Sequence, residues 1–89
     1  MKYIEFSGKI INIKEILSIA KIDNQIKIVF SMNNVFSSQY KIIITFNKEG
    51  SRDKVFSKIE EFLVLDRGIL KLKAGDFQVT KLEWAEQLV

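Results

Sequence analysis

The sequence predicts an α+β domain: an antiparallel sheet of about five or six strands, with one main amphipathic helix packed on one face. Three observations carry that expectation. Tyr40–Phe46 alternates as a strand should, and Val55–Leu63 repeats its apolar residues at helical spacing. The remaining apolar residues fall mostly in short runs broken by Asn, Asp, Ser and Gly. At 89 residues the chain is long enough for one core and too short for two, so residues 1–89 are read as a single domain.

In chain order, Tyr3–Phe6 reads as a first strand ended by Ser7 and Gly8, and Ile10, Ile11 and Ile13 as a second short strand or a resumption of the first. Asn12–Ile16 is too polar for a strand and too short for a helix, which predicts a tight or 3₁₀ turn with Ile13 and Ile16 turned to one side. Leu17–Ile22 and Ile26–Ser31 make a hairpin, with Asn24 and Gln25 as its turn. In the return strand Ile26, Ile28 and Phe30 share one face, and in the next strand Ile42, Ile44 and Phe46 do the same. Those two sets are the natural bed for the helix.

The helix itself is marked by Val55, Phe56, Ile59, Phe62 and Leu63, an apolar stripe among Arg, Lys, Ser and Glu. Asn47 is the expected N-cap, with Ser51 the other choice, because Glu49 then lies in the first turn where the macrodipole favours an anion. Gly68 suits a left-handed exit. Beyond it, Ile69–Lys73 and Phe77–Val79 read as a second hairpin turned by Ala74, Gly75 and Asp76. Thr80–Glu83 matches a capping box and predicts a short C-terminal helix, although Leu82 and Trp84 fit a continued strand equally well.

Composition narrows the chemistry. With 47% hydrophobic and 28% charged residues the chain has the balance of a folded domain, and it contains neither Cys nor His. Thiolate or imidazole metal sites, Cys–His pairs and Ser-His-Asp triads therefore have no residues to form from. The four glycines stand singly, so no phosphate-cradling loop can be traced, and Glu60 and Glu61 are adjacent on the helix and point to different azimuths. The expectation is a non-enzymatic protein without cofactor or metal. There is no apolar run of membrane-spanning length and no signal-peptide pattern, which makes a cytoplasmic location the default.

Charge is uneven: residues 1–48 carry seven Lys against three acids, while 49–89 carry seven basic against eight acidic side chains. The excess falls on the strands. On the sheet face away from the helix the alternation places Val29 and Ile43, with Ile19, among Lys21, Lys27, Lys41 and Thr45. Such a face is either covered by the C-terminal segment or a second copy, giving a homodimer, or it is a partner-binding surface with an apolar centre and a lysine rim. The polar stretch Met32–Gln39 holds Met32, Val35 and Phe36, which either fold back on the domain or form a protruding contact. Trp84 is read as the cover for the second face or as an interface anchor.

Ile11-Asn12-Ile13 with Ile16, and Phe46 followed by Lys54-Val55-Phe56, Ile59 and Glu61-Phe62-Leu63, form a recurring arrangement. Over Asn12–Asp23 and Tyr40–Leu63 the sequence resembles small uncharacterised strand-turn-hairpin-helix proteins of AT-rich bacteria and their phages. That resemblance implies an accessory or regulatory protein of a bacterial host's cytoplasm, of the anti-defence or anti-CRISPR inhibitor kind. Two functions are therefore expected. One is a protein-binding module using Phe36, Val35, Met32, the lysine-rimmed face and Trp84. The alternative is a nucleic-acid-binding accessory protein using Lys21, Lys27 and Lys41.

Overall fold

A computed structural model describes residues 2–31, 38–65, 68–73 and 75–88. The α+β class is as expected, but its strands divide between two sheets. In order they are β1 (Lys2–Phe6), β2 (Lys9–Asn12), β3 (Ile16–Ile22), β4 (Gln25–Phe30), β5 (Ser38–Phe46), the helix α1 (Glu49–Leu63), β6 (Gly68–Leu72) and β7 (Val79–Leu88). The larger sheet runs β3-β4-β5-β7 and the smaller β2-β1-β6.

The N-terminal hairpin turns through Ser7 and Gly8, both at positive φ, which brings Phe6 opposite Lys9. The expected 3₁₀ turn follows at Ile13–Glu15. Asn12 accepts the Lys14 N–H at 3.0 Å and its own N–H reaches the Glu15 carboxylate at 3.3 Å, so the two side chains stand in for the missing backbone partners. Ile13 and Ile16 both pack against the core.

The second hairpin turns one residue earlier than its sequence suggests. Ile22 pairs with Gln25, leaving Asp23 and Asn24 as the loop, with Asp23 at φ 51°. Asp tolerates that left-handed backbone, and Asn24 is then free to clamp the turn: its side-chain amide donates to the Phe46 carbonyl at 2.7 Å, and the Phe46 N–H donates back to the Asn24 carbonyl at 2.9 Å.

Helix α1 buries Ser51, Val55, Ile59 and Phe62. Its N-cap is Lys48, which makes no side-chain capping bond, and not Asn47. Ser51 does not cap either, because its hydroxyl donates to the Gln78 side-chain oxygen at 2.5 Å and so ties the helix start to the bend before β7. The exit is right-handed, through Val64. Gly68 instead opens β6 at φ 144°, a backbone that favours glycine, and a Cβ there would lie 3.3 Å from the Phe62 ring, close enough that the ring would have to shift slightly.

The largest departures come after the helix. β6 does not pair with β7; it runs parallel to β1, with Ile4 opposite Leu70 and Phe6 opposite Leu72. Phe77 and Gln78, at φ 51° and 62°, turn the chain away from that sheet, and β7 joins the free side of β5. No C-terminal helix forms from Thr80–Glu83, since Val79–Leu88 pairs in register with β5, and Leu82 and Trp84 lie opposite Ile44 and Ile42. Thr80, at a bulge, gives its hydroxyl to the Thr45 carbonyl.

One core joins all of this. Ile26, Ile28, Phe30, Ile42, Ile44 and Phe46 line one face of the larger sheet, and Val55, Ile59 and Phe62 of α1 and Ile4, Phe6, Ile11 and Leu72 of the smaller sheet complete the same cluster. Helix and small sheet thus share a single face of the larger sheet. Among the described residues no helix is long and apolar enough to cross a membrane.

Candidate functional site: the uncovered face of the larger sheet

Strand register decides which residues reach the other face. The pairs Ser18–Val29, Ala20–Lys27 and Ile22–Gln25 alternate with the core-facing pairs, and β5 adds Lys41 beside Val29 and Ile43 beside Lys27. From β7 come Lys81, Glu83 and Ala85, opposite Thr45, Ile43 and Lys41. The pleat sends all of these away from the helix. No described element lies over them.

The centre of this face is a small checkerboard. Lys27 stands next to Ile43 across the β4–β5 pair, and Val29 stands next to Lys41, so two aliphatic and two ammonium side chains occupy opposite diagonals. All four are half-buried by their neighbours. Ile22, at one corner, is 48% exposed. Lys81 and Glu83 form an ion pair at 3.4 Å on the edge strand, whereas neither Lys27 nor Lys41 has an acidic partner among the described residues.

Two residues expected here lie elsewhere. Lys21 pairs with Ile26 and Ile19 with Ile28, which puts both on the core side. There the Lys21 ammonium lies 3.6 Å from the Asp53 carboxylate and 4.8 Å above the Phe56 ring, pinning the hairpin to α1. Arg52 chelates the same carboxylate at 2.7 Å and 3.0 Å and also donates to the Asp23 carbonyl. The hydrogen bond from Arg52 lowers the pKa of Asp53, and the nearby charges of Arg52 and Lys21 lower it further. Lys21 is thus a structural cation.

Trp84 neither covers the second face nor projects from it. Its register partner is the buried Ile42, and it meets Phe30 edge-on at 5.3 Å and Phe6 at 6.3 Å, with the Lys9 ammonium 4.5 Å from its ring. It joins the two sheets. Its indole N–H is buried with no hydrogen-bond partner among the described residues. The C-terminal segment likewise leaves the second face open, because β7 widens the sheet instead of folding over it. Met32, Val35 and Phe36 lie outside the described residues.

Sequence reasoning missed Lys81, Glu83 and Ala85, which a helical reading of the last segment would have removed from the sheet. The alternation of Leu82 and Trp84 was the available signal. A separate cavity of about 320 Å³ lies where α1 begins, lined by Lys48, Gly50, Ser51, Lys54, Phe77 and Gln78. Its hydroxyl is already committed to the Gln78 amide, so no activated nucleophile arises there. Among the described residues no group of three or more carboxylates is placed to hold a metal ion.

Compared with protein-family models, curated proteins and solved structures, the chain matches none, and its function is therefore argued from this geometry.

Proposed function

We propose that the chain is a small non-enzymatic protein-binding module that acts by laying the uncovered face of its larger sheet against a partner. One observation carries the reading. Helix and small sheet both pack on the same side of β3-β4-β5-β7, leaving Val29 and Ile43 in the middle of a sheet with no described element over them. Small sheets with apolar residues on both faces are stabilised when both are covered, and an aliphatic centre bounded by charged groups is the composition of a contact surface. An accessory protein that occludes a larger complex, the role implied by the resemblance to small bacterial and phage proteins, requires nothing more than such a face.

Nucleic-acid binding has less support. Of the three lysines it would use, Lys21 is tied to Asp53 on the opposite side. Phe30, Phe46, Tyr40 and Trp84 all pack with the core, so no aromatic ring of β4, β5 or β7 is offered to a base on the open face.

The test is affinity capture from a lysate of the encoding cell with three baits: the unaltered chain, Ile43→Asp, and Ile10→Asp as an exposed control on the other sheet. Loss of the captured protein with Ile43→Asp alone supports the reading. Equal recovery with all three baits removes the sheet face from the account.

A further inference from the structure

We infer that the occupant of the uncovered face is an acidic amphipathic helix of a different protein, an inference that rests on the face being the binding surface. Charge decides the sign of the partner. Three lysines, Lys27, Lys41 and Lys81, share this face with one described acid, Glu83, and that acid is already paired to Lys81. Two ammonium groups therefore flank the Val29–Ile43 diagonal without counter-charge among the described residues. Covering them with an apolar or basic surface would strand both charges, whereas carboxylates beside an apolar stripe would pair them as the aliphatic groups are buried.

The same accounting rejects a second copy of the chain as the occupant. A two-fold face-to-face dimer would bring Lys27 and Lys41 against a surface equally rich in lysine. Nucleic acid would satisfy the ammonium groups but would leave Val29 and Ile43 against phosphate and sugar, with no ring for a base to stack on. A helix fits the geometry best. Its apolar stripe is about as wide as the aliphatic diagonal, where cross-strand neighbours stand about 5 Å apart and diagonal ones about 7–8 Å. Acidic residues three or four positions apart along its flank, about 5–6 Å from one another, can then reach Lys27 and Lys41. The result is a helix on each side of the larger sheet.

The experiment is an NMR titration of the isotopically labelled full chain with two synthetic helical peptides that share one leucine stripe and differ only in carrying Glu or Lys on its flanks. The Glu peptide is expected to shift the amides of Lys27, Val29, Lys41 and Ile43, to bind more weakly as salt rises, and to lose about tenfold in affinity with the Lys27→Glu/Lys41→Glu double variant. That variant should in turn prefer the Lys peptide. If the Lys peptide binds the unaltered face as well as the Glu peptide does, the acidic partner is ruled out while the face remains the binding surface. Shifts confined to other parts of the molecule with both peptides would overturn the face itself and this inference with it.

Discussion

Phe30 and Trp84 meet edge to face at 5.3 Å, and Phe6 of the smaller sheet meets the same indole at 6.3 Å, also near-perpendicular. A residue from the last strand thereby fastens the two sheets. Removing it should cost about 3–5 kcal/mol, the range for large aromatic truncations. Trp84→Ala is expected to lower the urea midpoint strongly, and Trp84→Phe to recover much of the loss because the rings can still meet. A Trp84→Ala chain as stable as the original would place the indole outside the core.

Gly68 supplies a second point of tension between elements. Its φ of 144° strains any side chain, and the Phe62 ring, 3.3 Å from the site of a Cβ, would have to give by a few tenths of an ångström. Gly68→Ala is expected to destabilise by about 1–3 kcal/mol. Gly50→Ala, in the helix with open space around it, should be neutral or stabilising. Thermal unfolding of the two variants side by side checks the contrast.

Asp53 makes the hairpin–helix junction sensitive to acid. Its pKa is lowered in the folded chain, chiefly by the hydrogen bond from Arg52, so its contribution is fully present above the unfolded value of about 4 and disappears as pH falls through the depressed folded value. Asp53→Asn should therefore be less stable than the original at neutral pH, and the difference should shrink as urea titrations are carried from pH 7 to pH 3. A difference that stays constant over that range would mean the carboxylate charge is not what holds Lys21 and Arg52.

Much of this architecture is legible in the residues. The helix stripe, the alternation of β4 and β5 and the Asn12 turn follow from spacing and from one or two polar side chains each. Lys21 was legible as well: any two-residue hairpin loop between β3 and β4 pairs odd positions of one with even positions of the other, which sets Lys21 on the face of Ile26 and Ile28. The fate of β6 and β7 was not. Leu70 and Leu72 alternate whether their partner is β7 or β1, and the choice depends on a parallel pairing with the far end of the chain and on positive φ at Phe77 and Gln78, which neither residue type announces. The candidate site was half legible for the same reason, with Lys27, Val29, Lys41 and Ile43 placed by alternation and Lys81, Glu83 and Ala85 dependent on β7.

Ser51 tests the tie between α1 and the bend that launches β7. Its buried hydroxyl and the Gln78 amide are 2.5 Å apart. Ser51→Ala should cost about 0.5–1.5 kcal/mol, the net value of an ordinary hydrogen bond, because the exposed Gln78 amide can turn to water. Gln78→Ala in the same background should add little further. A double-mutant cycle read by chemical denaturation measures the coupling, and strictly additive losses would show that the two groups do not act as a pair.

The division of the larger sheet into a closed and an open face is most directly tested at two consecutive residues of β5. Ile42 is fully buried toward the helix side, while Ile43 points to the uncovered side. Threonine keeps strand propensity at both positions, so the urea unfolding free energies of Ile42→Thr and Ile43→Thr compare environment alone. The account predicts a loss of about 2–4 kcal/mol at Ile42, where a methyl group is lost and a hydroxyl is buried, and of no more than about 1 kcal/mol at Ile43. Equal losses at the two positions would contradict it, because they would mean that the second face is already covered.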